Sequence, residues 1–219
     1  MNKFLICVLF STNFLGCQSD LRQSVINRFG GDTALKNIGE LNFTVQRQQL
    51  TEKGTAPEIR LYRMNVQEEF LEETRFTNGD TIVQEYRKGK GFEKIGLEVN
   101  SLEAKGTSAL YQQLYFNFIY LLQADTEWKE LMDTTYQDKR VRIVSVKDRT
   151  NRAPEIHLFI DTHTFDIVSS SIPENGKYSY YANEFDYKTL PGSTILFPMR
   201  FEVVVQGQKI LVGTFTFHE

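Results

Sequence analysis

Between Ile195 and Val205 every second residue is apolar, and all are bulky: Ile195, Phe197, Met199, Phe201, Val203 and Val205. A period of two is the signature of a β-strand with one buried face, and a run this long commits the chain to a broad sheet. Gln206-Gly207-Gln208 then turns the chain into Ile210 to Phe217, which offers Leu211, Phe215 and Phe217. Upstream, Leu41, Phe43 and Val45 alternate with Asn42, Thr44 and Gln46. Further strand-like runs cover Ile59 to Phe70, Thr81 to Arg87, Gly91 to Ile95, Arg140 to Lys147, Glu155 to Ile160 and Phe165 to Ile172. Asn78 to Asp80, Lys88 to Gly91, Asp161 to Thr164 and Pro173 to Gly176 carry turn chemistry. Pro198 inside the long strand argues for an edge position or a bulge, since proline donates nothing to a ladder.

Helical periodicity is strongest in two places. Leu21, Val25, Ile26 and Phe29 share a helical face that ends at Gly30-Gly31, and a second short helix capped by Asp32 or Thr33 covers Ala34, Leu35 and Ile38. In the middle, Ser108 to Gln123 places Leu110, Leu114, Phe118 and Leu122 at helical spacing, and Tyr111, Tyr115 and Ile119 widen the stripe over most of the helix. Such a helix needs burial on more than one side. Trp128 to Met132 reads as a further helical turn. Roughly nine to eleven antiparallel strands with so little helix specify a mainly β (α+β) domain: one large curved antiparallel sheet or unclosed half-barrel, with the aromatic segment over its concave face.

The first residues have a different purpose. Lys3, the apolar run from Phe4 to Phe10 and Phe14-Leu15-Gly16-Cys17 form a charged start, a hydrophobic stretch and a small-residue cleavage point, the plan of an export signal. The run is shorter than the roughly 20 apolar residues that a spanning helix needs. A cysteine directly after the small residue resembles a bacterial lipoprotein signal, in which that cysteine is acylated and becomes the mature N-terminus. The chain has 2 cysteines, and cleavage after Gly16 would leave Cys17 as the single mature thiol. An exported chain with one unpaired thiol at its first residue is chemically sensible if that thiol is occupied. The expected organisation is a signal over 1–16, a lipidated Cys17 with its tether over 17–20, and a β domain over 21–219.

Charge excludes more than it identifies. A net charge of −3 with no basic stripe lacks the electrostatic footprint of a nucleic-acid binder. Asp161 and His163 are better explained by a turn in which Asp161 bonds the backbone than by a metal site, and no HExxH or CxxC accompanies them. Ser169 to Ser171 lack the nucleophile elbow of hydrolases. Glu68, Glu69, Glu72 and Glu73 read as a solvated edge or loop. The expectation is no cofactor, no metal and no catalytic residue.

The opening VINRFGGDTALKNIGELNFTVQRQ, the hairpin HLFIDTHTFDIVSSSI and the ending YYANEFDYKTLPGSTILFPMRFEVVVQGQ resemble the LolA/LolB-like lipoproteins and lipoprotein-sorting proteins, in particular Bacteroidetes envelope lipoproteins of that form. The resemblance covers most of the mature chain. It implies an unclosed antiparallel barrel with helices over its mouth and an apolar hollow that receives acyl chains of lipoproteins. The family's functional arginine and protruding apolar loop are carried over to no residue here. On this reading Leu110, Leu114, Phe118 and Leu122 of the helix, with Phe197, Met199 and Phe201 of the long strand, line the hollow. The partners would be the outer membrane, reached through lipidated Cys17 on its periplasmic side or at the cell surface, and acyl chains or lipoproteins. The competing reading is an interaction lipoprotein whose core is filled and which takes no small ligand.

Overall fold

A computed structural model describes residues 21–50, 57–77 and 79–218. The signal-like segment and Cys17 lie outside the described residues. Two short helices, α1 (Leu21–Arg28) and α2 (Gly31–Asn37), precede β1 (Leu41–Gln49), β2 (Glu58–Asn65), β3 (Phe70–Thr77), β4 (Asp80–Arg87), β5 (Lys90–Ile95) and β6 (Glu98–Ser101). Helices α3 (Ala104–Tyr115) and α4 (Phe118–Gln123) follow. The chain then forms β7 (Thr126–Tyr136), β8 (Lys139–Asp148), β9 (Ile156–Asp161), β10 (Ile167–Ser171), β11 (Tyr180–Thr189), β12 (Leu196–Val205) and β13 (Gln208–His218).

All 13 strands form one sheet in the order β6-β5-β4-β3-β2-β1-β13-β12-β11-β10-β9-β8-β7, with antiparallel neighbours throughout. The chain meanders from the middle of the sheet to one edge, crosses on α3 and α4 to the opposite edge, and meanders back until β13 pairs with β1, from Asn42↔His218 to Gln49↔Leu211. The edge strands β6 and β7 are not joined, so the sheet is an unclosed half-barrel. This is the architecture expected from the alternation and turn signals. Two-residue hairpins fix the register: Lys88 and Gly89, then Gln206 and Gly207, adopt positive φ at both central positions, the type I′ geometry whose twist matches the flanking strands.

The helices fill the concave side. Phe118, Ile119, Tyr120, Leu121 and Leu122 of α4 are all buried, and each large apolar side chain so placed contributes about 1.5–3 kcal/mol. Phe29, just after α1, meets Phe118 and Tyr187 edge-on, with ring centroids 6.1 and 5.6 Å apart. Gly30 explains the Gly-Gly at the end of α1: at φ +109 it passes so close to the β11–β12 connection that a Cβ would lie 2.9 Å from the Thr194 carbonyl oxygen. The convex face carries a second small core over β8 to β10, where Val141, Ile143, Phe159 and Val168 pack under Tyr136, Tyr178 and Tyr181.

Several sequence expectations are corrected. The single helix over 108–123 is two helices, separated at Phe116-Asn117. Trp128 to Met132 is strand, within β7, and not a helical turn. The run from Ile59 to Phe70 is divided by a turn, because β2 ends at Asn65 and β3 begins at Phe70. Strands β3, β6 and β11 escaped the sequence reading altogether. Pro198 lies in an interior strand rather than at an edge: it pairs with Tyr187 of β11, and the β12–β13 ladder starts only at Arg200↔Thr214, so its missing N–H breaks no bond there. Glu73 does not lie on a wet surface; it is 1% exposed, on the concave side of β3. The Asp161 turn is as read: Asp161 Oδ1 accepts from the backbone N–H of His163 at 2.8 Å and of Thr164 at 3.1 Å.

Candidate functional site: an apolar hollow under a broken helix

The break between α3 and α4 is built by local chemistry. The Phe116 N–H closes α3 onto the Gln112 carbonyl at 2.9 Å, and Asn117, in extended conformation, caps α4 by accepting from the Ile119 N–H at 3.0 Å. Beneath this break a cavity of about 370 Å³ opens between the helices and strands β1–β3 and β11–β13, with Gln113, Phe116, Asn117 and Phe118 as its roof. That volume falls at the small end of ligand sites, which span about 300–1,000 Å³.

The floor is aromatic. Phe43, Phe197, Phe201 and Phe215 line the cavity. Phe197 stands edge-on to Phe215 at 5.1 Å, Phe201 tilts against Phe215 at 5.2 Å, and Phe43 stacks on Tyr62 at 5.1 Å. The Phe201 ring lies directly over its cross-strand partner Gly213, where an added Cβ would stand 2.3 Å from ring carbons. Glycine there is what lets the ring lie flat and leaves the space above it open.

One end of the hollow is charged but internally neutralised. Arg47 and Arg60 line it, Arg47 bonded to Glu58 at 2.8 Å and Arg60 to Glu73 at 2.5 Å and Glu58 at 2.9 Å, while the Tyr62 hydroxyl donates to Glu73 at 2.8 Å. Burial first, and the Glu73 carboxylate second, push the Tyr62 phenol well above its ordinary value. On the floor, Glu184 of β11 faces the same space opposite Phe201. Its side chain makes no hydrogen bond or ion pair with the described residues. Burial raises its carboxyl from 4.5 to about 8.

A second, larger cleft of about 730 Å³ lies between α1, α2, the β2–β3 turn and the β8–β9 loop, and it is polar. Its main feature is a clasp. Arg152 donates through both terminal nitrogens to Glu69 at 2.9 Å each and to the Tyr86 hydroxyl at 3.1 Å, with its guanidinium 4.2 Å from the Tyr111 ring centroid. The Arg152 hydrogen bonds hold the Glu69 carboxyl below its usual range. Asp148 anchors the loop, accepting from the Thr150 and Arg152 N–H groups at 2.9 and 3.0 Å and from the Tyr111 hydroxyl at 3.1 Å. The clasp therefore ties the β2–β3 turn of one half of the sheet to the β8–β9 loop of the other.

The residues expected to line a hollow are divided among three environments. Phe118, Phe197 and Phe201 line the apolar hollow. Leu110 and Leu114 are core, 2% and 0% exposed. Leu122 borders the polar cleft, and Met199 packs half-buried against the core. Sequence reasoning missed Phe43, Tyr62, Phe215, Arg60, Glu73 and Glu184. Phe43 and Phe215 were already placed on inward faces by their alternation, so crossing the two C-terminal strands with β1 would have found them. Glu184 had no such signal, because Tyr180 and Tyr181, Phe185 and Tyr187 put aromatic residues on both faces of β11.

No family model and no curated protein matches the sequence. Solved structures do match. A domain described as an outer membrane lipoprotein-sorting protein domain, from Vibrio parahaemolyticus, superposes with a TM-score of 0.59 at 10% identity, over 90% of this chain and 91% of that one. A LolA superfamily protein from Nitrosomonas europaea superposes with a TM-score of 0.58 at 10% identity, over 90% and 91%. The fold is LolA-like. Identity this low speaks to the fold alone, so function has to be argued from the hollow itself. Among the described residues no helix is long and apolar enough to cross a membrane.

Proposed function

We propose that this LolA-like chain is an exported envelope lipoprotein, acylated at Cys17 and anchored to the outer membrane, whose hollow accepts the acyl chain of a lipid or lipoprotein. The single observation that carries the reading is the cavity of about 370 Å³ between the α3–α4 break and the aromatic floor. A cavity walled by Phe43, Phe118, Phe197, Phe201 and Phe215 has little to offer water, whereas an entering hydrocarbon chain gains dispersion contacts along its length and leaves solvent. Anchoring supports the reading from the other end of the chain, since several acyl CH₂ groups at ~0.8 kcal/mol each hold a multiply acylated cysteine at a membrane.

Native mass spectrometry of the full-length protein, gently extracted from membranes, tests both parts. The expected spectrum is a chain that starts at Cys17 with a diacylglycerol-sized adduct and carries a further, non-covalent lipid. Phe118→Ala, which enlarges the hollow, is expected to change the mass distribution of that bound lipid. Protein that starts elsewhere without an adduct removes the anchor. Protein that is ligand-free, ignores added lipid and loses only stability in Phe118→Ala removes the carrier and leaves an interaction lipoprotein.

A further inference from the structure

The hollow is not uniformly apolar, and its one unpaired charged group among the described residues is informative. Every charged group at the Arg47 end is already paired, Arg47 and Arg60 being bonded to Glu58 and Glu73. Glu184 is the exception. Its half-buried side chain lines the hollow and has no hydrogen-bond or ion-pair partner among the described residues. Its neighbours in the lining are Phe197, Pro198, Phe201 and Tyr180. A lone carboxylate in such surroundings is costly and takes up a proton instead. A neutral carboxyl offers one O–H donor, and no described residue accepts from it.

We propose that Glu184, as a neutral carboxylic acid, donates a hydrogen bond to the carbonyl oxygen of an ester- or amide-linked acyl chain lying in the hollow, and so selects carbonyl-linked chains over plain alkyl chains. This rests on the reading of the hollow as an acyl-chain site. Two alternatives fit the geometry less well. A ligand carboxylate would have to share the low-dielectric hollow with Glu184, and one of the two would have to be neutralised. An ammonium would require Glu184 to ionise, and the desolvation of both charges would oppose the pair.

The raised carboxyl, at about 8, makes the donor present at neutral pH and absent in alkali. The groups facing Glu184 leave it as the titrating member of the set. Tyr180 and Tyr187 on its own strand and Tyr62 across the hollow have phenols that burial pushes upward, so they stay neutral. Arg47 and Arg60 remain paired to carboxylates, and beyond Tyr187 the Arg28–Asp166 pair is closed at 2.7 Å.

The test compares two probes that differ only in the carbonyl, 1-monomyristoylglycerol and its ether analogue 1-O-tetradecylglycerol, by displacement of an apolar reporter dye from the delipidated full-length protein. At about pH 6.5 the ester is expected to bind about tenfold more tightly than the ether, the value of one hydrogen bond, and at about pH 9.5 the preference is expected to vanish. Glu184→Gln keeps a donor that does not titrate and should retain the preference at both pH values; Glu184→Leu should bind the two probes equally. Equal binding of ester and ether by the unmodified protein at the lower pH overturns the role of Glu184 while the hollow stands. Tighter binding of tetradecylamine than of the ester overturns the carbonyl in favour of a cation. Failure of every probe to displace the dye overturns the hollow reading and the inference together.

Discussion

Two regions of the sheet are built differently. In β9 all six residues are buried, and in β10 all five, because helices cover their concave face and the Tyr136, Tyr178 and Tyr181 cluster covers their convex one. In β12 only Phe197 and Pro198 are buried, and the remainder of the strand is half-exposed. Both regions use the same residue types in the same antiparallel ladder. The difference lies in what comes down onto the concave face. Over β8 and β9 the apolar side chains of α4 complete a continuous core, whereas under the α3–α4 break the helices withdraw and leave aromatic floor uncovered. One region is packed scaffold; the other encloses an open, aromatic-floored hollow.

Truncating one side chain in each region should have unequal effects. Leu158→Ala, at a position 0% exposed in β9, should cost about 2–5 kcal/mol in urea unfolding and leave lipid or dye affinity unchanged. Phe201→Ala should cost less, about 1–2 kcal/mol, since part of the ring borders the hollow, and should change affinity. Equal costs would mean that the floor is as tightly packed as the scaffold.

A smaller effect is expected from pH. The folded Glu184 carboxyl is raised from 4.5 to about 8, so its contribution to stability is fully present below pH 4.5 and is lost as pH rises through 8. Glu184→Gln removes that loss. The variant should therefore gain on the parent protein by ~1–3 kcal/mol between acid and mild alkali, measured as the difference between their melting curves across the series. Parallel curves would place Glu184 in contact with bulk water and erase the contrast between paired and unpaired ends of the hollow.

The smallest effect concerns the clasp that joins the halves. Arg152 and Glu69 side chains are 35% and 32% exposed, so solvent screens much of their attraction, and Arg152→Ala should cost about 1 kcal/mol. Its distinctive signature should be faster hydrogen exchange in both the β2–β3 turn and the β8–β9 loop, with β9 unaffected. Exchange that quickens on one side only would show that the clasp does not couple the halves.

What the sequence disclosed follows from the same contrast. Strands with one wet and one dry face, such as β1, announce themselves by alternation, and the Gly-containing turns between them fix the meander. Strands β9 and β10, buried on both faces, are still legible because each is a short run bounded by clear turns, β9 largely apolar and β10 opening on Ile167-Val168. Strand β11 was hidden because Tyr181 serves the convex cluster while Tyr187 serves the concave core, so no face looks polar. Edge strand β7 imitated a helix because Leu131 and Met132 are adjacent, and both prove to be 43% and 57% exposed. The helix break was hidden by its own apolar context: Leu110, Leu114, Phe118 and Leu122 keep their spacing across it, and only Asn117 marks the cap. Since the hollow exists because of that break, its lining could be only half legible, and Glu73 and Glu184 were unreadable because period-two patterns give no sign of a charge placed inward on purpose.

An acyl chain should occupy the space beneath Phe116-Asn117. The direct measurement is photolabelling of the full-length protein with a fatty-acyl glyceride that carries a diazirine on its chain, followed by peptide mapping. The expected labels fall on Phe43, Phe118, Phe201 and Phe215, are competed away by unlabelled glyceride and shift when Phe118 is replaced by alanine. Labels confined to the exposed edge residues Leu97, Val99 and Met132, or no specific label at all, would contradict it.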